Sequence, residues 1–269
     1  MFTDTPYLIE LLTPSQASVD LDAALERFGK RYTRILKSGS MVSIPDNPLG
    51  RLHFTALETL TYLELEPAPE QLLVHLNTFH RRADLDELLA GLLEMDVRNL
   101  LCVSGDGSSR LPKLEPEDLG CDTQSVTSVE LLTYIRTRYP AFRLGAAYNP
   151  YEPADHELDK LKRKLEAGAE FLITQPLIAG NAGPDDLTPL PGCPAQFIPG
   201  AWLSDKLGLL AECLGIPEEN LPALYNAHGN LRQLEQRYPG KPIYLSLLSF
   251  KQEWQPLLSR LKFVPDPSV

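Results

Sequence analysis

Eight short runs rich in apolar and β-branched residues alternate along this chain with longer stretches of helical period, and that alternation limits the fold more than any other feature. The runs are 7–12, 41–45, 71–77, 99–105, 143–149, 171–178, 196–202 and 242–250. Between them, segments such as 19–36, 85–94, 129–139, 158–167 and 251–261 carry apolar residues three and four apart with charges opposite, the pattern of helices that cover a sheet. Strands joined through helices pair in parallel, because a parallel connection needs a long crossover. Eight such units in 269 residues match an α/β, single-domain (β/α)8 (TIM) barrel spanning 1–269, a fold that usually takes about 250 residues.

Some boundaries are readable. The hydroxyls of Ser125-Val126-Thr127-Ser128 suit a helix N-cap, and Gly168 suits a left-handed stop after Lys164-Leu165-Glu166-Ala167. Gly215-Ile216-Pro217 divides 205–238 into two helical pieces. The Gly-, Pro- and Asp-rich stretch 179–194 predicts a helix that is short or missing.

A formal charge of -11 argues against nucleic acid, whose binders cluster Lys and Arg on one face. No run approaches the roughly 18 apolar residues of a membrane span, and the start lacks a secretory pattern, so a cytoplasmic protein is expected. Cys102, Cys121, Cys193 and Cys213 are widely spaced and read as reduced. His53, His75, His80, His156 and His228 form no H-x-x-x-H pair, so no protein-held metal is expected.

In an eightfold barrel, polar residues at the carboxyl ends of strands face the mouth where ligands bind. The rule selects Glu10, Asp46, Asn47, His75, Asn77, Asp106, Tyr148, Asn149, Thr174, Gln175, Ser204 and Asp205. Glu10 interrupts Tyr-Leu-Ile-Glu-Leu-Leu; a buried carboxylate either finds a partner or takes up a proton, which would suit a general acid. The alternative is an interior glutamate paired with a cation from a neighbouring strand. Asp106 after Ser104-Gly105 is either a rim carboxylate or a solvated turn residue. His75 reads alone as a core histidine, Gln175 as a reader of a heterocyclic amide or a cap on the barrel, and 159–164 as a solvated helix face. Ser-Gly-Asp-Gly-Ser-Ser lacks the lysine of a Walker motif, and no G-x-G-x-x-G occurs.

Taken in order, these stretches resemble the methylenetetrahydrofolate reductase family across the first seven strands. Ile-Glu-Leu-Leu-Thr-Pro with Glu10 is similar to its E-F-F-P-P motif, Val-His-Leu-Asn with His75 to its H-L-T, and Ser104-Gly105-Asp106 to its R-G-D. The most specific block runs from Ala146-Ala147-Tyr148 through Leu161-Lys162-Arg163-Lys164-Leu165-Glu166-Ala167-Gly168-Ala169 to Ile173-Thr174-Gln175, and Ile198-Pro199-Gly200 follows it. Ser104 replaces the arginine of R-G-D, a family histidine is replaced near Glu152, and Lys160 stands where asparagine is common. Asp46-Asn47-Pro48 resembles the D-N-P of divergent members in one-carbon pathways.

The resemblance implies a flavin enzyme in which reduced FAD passes a hydride to 5,10-methylenetetrahydrofolate, giving 5-methyltetrahydrofolate, with NADH or NADPH as donor. It implies Glu10 as the acid that protonates the folate, Asp106 near flavin and pterin, and Gln175 on the folate. It implies His75, Ser104, Gly105, Asp106, Ala147, Tyr148 and Lys164 around FAD, and a homo-oligomer or one-carbon partner protein. A flavin-free folate enzyme or methyltransferase partner of the same fold, and a non-catalytic relative, are the alternatives.

Overall fold

The computed structural model describes residues 2, 5–67, 69–107, 110–178, 193–204, 206–221 and 225–246. The expected helix at 251–261, Asp205 and nearly all of 179–194 lie outside the described residues.

Eight strands pair in parallel and in chain order, β1 (Tyr7–Glu10), β2 (Met41–Ile44), β3 (Leu72–Leu76), β4 (Asn99–Cys102), β5 (Arg143–Tyr148), β6 (Phe171–Pro176), β7 (Gln196–Trp202) and β8 (Ile243–Ser246), and β8 closes on β1. This is the (β/α)8 barrel expected from the alternation. The helices are α1 (Leu21–Lys37), α2 (Ala56–Tyr62), α3 (Arg82–Glu94), α4 (Pro116–Leu119), α5 (Ser128–Arg138), α6 (Ala154–Glu166), α7 (Leu207–Leu214) and α8 (Ala227–Arg237). The last two are separated at Gly215, whose φ of 67° closes α7 in the left-handed region. The short α2 was not foreseen, although Thr55 and Glu58 form a capping box at its start.

Side chains alternate across each strand with period two, so parity decides which go to the barrel axis and which to the helices. Leu8, Met41, Leu73, Leu101, Phe171, Ile173, Ile198 and Tyr244 form the inner cluster. Phe2 closes its amino-terminal end, edge-on to Phe171 at 5.1 Å between ring centres. The intervening Ile9, Val42, Val74, Leu100, Leu144, Leu172 and Leu245 join the larger core beneath the helices. Gly145 is forced by this packing, because a Cβ there would lie 2.1 Å from the Phe171 ring. Gly168 ends α6 at φ 103°, with Ala169 N–H bonded to the Lys164 carbonyl and Gly168 N–H to that of Leu165.

Candidate active site

Parity carries the inward face of the strands upward to a second layer at their carboxyl ends, where apolar residues give way to Glu10 on β1, Ser43 on β2, His75 on β3, Gln175 on β6, and Tyr244 and Ser246 on β8. Above it opens a cavity of ≈ 530 Å³. Glu10, His75, Ser104, Gly105, Asp106, Ala147, Lys164 and Gln175 all line it.

Tyr148 does not. Standing one position from Ala147, it points to the other side of the sheet, where it is buried in the outer core with its ring 6.5 Å from that of Phe197. Thr174 and Asn77 are occupied structurally: Thr174 Oγ1 accepts the Gly200 N–H at 2.8 Å, and Asn77 Nδ2 donates to the Asp46 carbonyl at 2.8 Å. Ser204 is buried, its hydroxyl oxygen accepting from the Lys206 N–H. Asn47 holds φ 45° and accepts the His53 N–H, which shapes the loop after β2.

Glu10 is 7% exposed, and its Oε2 accepts a hydrogen bond from the Tyr244 hydroxyl at 2.7 Å and a longer one from Ser246 at 3.4 Å. Ser43 Oγ lies 2.8 Å from His75 Nε2. Burial pushes the Tyr244 phenol well above its ordinary range, and the adjacent Glu10 pushes it further. Burial pulls His75 down to about 4 against the opposing pull of Asp46, so its ring is neutral near neutral pH. Tyr244, Ser43 and Ser246 were missed in the sequence. The signal was present in Ile-Tyr-Leu-Ser and Met-Val-Ser-Ile, where polar groups fall on inward parity within apolar strands.

Two loops form the rim. Asp46 Oδ2 accepts from His80 Nε2 at 2.6 Å and from the Asn77 N–H at 3.1 Å. Burial lowers the His80 pKa, but the bond to Asp46 and its charge outweigh that and leave the pKa raised. Asp106 is exposed and its Oδ2 accepts the Leu49 N–H at 3.0 Å, joining the loop after β4 to the loop after β2. Leu49 is held at φ 58°, a left-handed conformation that costs a leucine about 1 kcal/mol or more.

The opposite wall is cationic and compensated. Lys164 Nζ donates to the Ala147 carbonyl at 2.7 Å and lies 3.6 Å from Glu157, and burial lowers its pKa despite that partner. Lys160 pairs with Glu152 at 2.5 Å, and Arg163 with Glu130 at 3.6 Å. Glu152 therefore sits in an ion pair rather than standing alone.

A sequence profile described as methylenetetrahydrofolate reductase matches residues 42–180. No curated protein matches the chain. Among solved structures, an uncharacterized protein from Clostridium thermocellum that binds two copies of 5-methyl-5,6,7,8-tetrahydrofolic acid is similar at TM-score 0.59 and 13% identity, over 97% of this chain and 96% of that one. An oxaloacetate acetylhydrolase aligns at TM-score 0.48 and 9% identity, over 99% of this chain and 84% of the other. At 13% identity the first of these likenesses concerns the fold alone.

Proposed function

Because the chain belongs to the methylenetetrahydrofolate reductase family, we propose that the cavity at the barrel mouth binds a one-carbon derivative of tetrahydrofolate and that the protein reduces 5,10-methylenetetrahydrofolate to 5-methyltetrahydrofolate, the methyl source for methionine. The observation that carries this reading is Glu10, a buried carboxyl group reaching the same cavity as Gln175 and Asp106. The folate-binding neighbour of the same fold supports the ligand class.

Chemistry follows from the placement of these groups. Reduction of the methylene bridge requires opening of the folate's five-membered ring, and a proton on the departing nitrogen makes that opening favourable. Glu10 would donate that proton, as the carboxyl group that the barrel buries at the floor of the cavity. Gln175 would read the pterin amide with one donor and one acceptor. Asp106, fixed to the Leu49 N–H, would orient the ring from the rim.

The residues present fit FAD. Lys160, Arg163 and Lys164 line one wall of the cavity and match a diphosphate, while the small side chain of Ala147 leaves room for a flat ring. Bound and reduced, FAD would supply the hydride, with NADH or NADPH as the source of electrons. A flavin-free reading has two observations in its favour: Glu152 already takes up Lys160, and Ser104 offers no charge where the family has arginine.

The absorption spectrum of the purified protein, taken before and after incubation with FAD and desalting, separates the two. A retained flavin band that bleaches with NADH and recovers on addition of methylenetetrahydrofolate is the expected result. Folate turnover by protein with no flavin band would establish the flavin-free reading instead.

A further inference from the structure

Among the described residues four large apolar side chains stand exposed, Val19, Leu21, Leu49 and Tyr62, and of these Leu49 lines the cavity. It is 37% exposed and lies beside Pro48, which lines the same space. Its backbone is strained as well: a leucine at φ 58° and ψ 30° occupies the left-handed region, and Asn47, two residues before it, holds φ 45°. Strain of this kind persists only where the surrounding structure over-determines it.

Three loops supply that constraint. The loop after β3 holds the loop after β2: Asn77 Nδ2 donates to the Asp46 carbonyl at 2.8 Å, while Asp46 Oδ2 accepts the Asn77 N–H at 3.1 Å and lies 2.6 Å from His80 Nε2. The same loop carries the one after β4. A Cβ at Gly105, whose φ is 81°, would come within 2.6 Å of Asn77 Cβ, and one at Gly107 within 2.9 Å of the Phe79 ring, so the two glycines let 105–107 lie directly on 77–79. Asp106, between them, reaches back across the rim, and its Oδ2 accepts the Leu49 N–H at 3.0 Å. The leucine side chain so held stays open to the cavity.

We propose that Leu49 and Pro48 form an apolar jaw that packs against the p-aminobenzoyl ring of the bound folate, and that Asp106 sets the affinity for that ring by holding Leu49 in place. The proposal rests on the folate reading given above. Leu49 belongs to the loop after β2, the strand between β1 with Glu10 and β3 with His75, whereas Lys160, Arg163 and Lys164 belong to α6 on the far side of the mouth. A pterin lying over Glu10 carries its benzoyl ring outward past the rim at 48–49, where an exposed leucine side chain loses its water only when that ring covers it. Asp106 is then a positioning residue for the jaw, and the strain at Leu49 is borne by the free protein so that the apolar contact is ready before the ligand arrives.

Calorimetric titration with 5-methyltetrahydrofolate, beside 6-methyltetrahydropterin, which has the reduced heterocycle without the benzoyl group, tests the jaw. Leu49→Ala should weaken folate binding about ten-fold, as expected for the loss of a leucine-sized apolar contact, and leave pterin binding unchanged, and Leu49→Met should restore it. Leu49→Gly should weaken folate binding to the same extent without lowering the melting temperature, because glycine takes the left-handed conformation freely. A leucine that served stability alone would do the reverse, lowering the melting temperature and sparing the affinity. Asp106→Ala should also weaken folate binding and, added to Leu49→Ala, deepen the loss little, since the two act as one unit. Wild-type folate affinity in Leu49→Ala and Leu49→Gly, or an equal loss for the pterin, overturns the jaw alone; a wild-type protein that binds no reduced folate overturns the reading on which it rests.

Discussion

His75 and His80 flank the end of one strand, and their proton affinities are displaced in opposite directions. His75 falls to about 4 through burial, whereas His80 rises through its bond to Asp46. For His75 the unfolded ring takes up a proton near 6.5 and the folded one only near 4, so its contribution is present above about 6.5 and is lost as pH falls towards about 4, to a limit of about 3 kcal/mol. His80 contributes below its unfolded pKa and loses that contribution only as pH rises through its higher folded value, so it adds no slope in the acid window. Urea unfolding between about pH 6.5 and pH 4 should therefore show falling stability, and His75→Gln should flatten that limb. An unchanged slope in the variant would assign the acid sensitivity elsewhere. Gly145 belongs to the same scale: Gly145→Ala brings a methyl group against the fully buried Phe171 ring and should cost about 2 to 3 kcal/mol in the same assay.

At the scale of elements, the helix starts are set by side chains that can be read directly. Thr127 caps α5, accepting from the Val129 N–H at 3.2 Å while Glu130 Oε2 returns a bond from the Thr127 N–H at 2.8 Å. Thr127→Ala should lower thermal stability by about 1 kcal/mol, and an unchanged melting temperature would show that the cap is not limiting. Strand positions were legible because a parallel sheet buried on both faces writes continuous apolar runs, and α7 and α8 because Gly215 and Pro217 break the pattern between them. Ends were less so. The run through Asn99 extended to Gly105 by apolar content, yet β4 stops at Cys102, where the chain bends to bring Asp106 to Leu49. Tyr148 shows the same limit: motif order marked it for the site, but parity next to Ala147 turns it outward.

Across the whole molecule, closure of β8 on β1 is what makes the site, since it sets Tyr244 against Glu10 although they are far apart in the chain. That contact was hidden from the sequence, where Glu10 stood out alone and its alternatives were a cationic partner or none. Among the described residues Glu10 accepts from the Tyr244 phenol and, at longer range, from Ser246. Whether the barrel mouth is a folate site whose acid is Glu10 is read most directly by comparing wild type and Glu10→Gln for 5-methyltetrahydrofolate binding and for turnover of methylenetetrahydrofolate. The amide should bind the folate within a few-fold of wild type and lose about a hundred-fold or more in kcat. Turnover that survives the substitution, or a wild-type protein that binds no reduced folate, would contradict it.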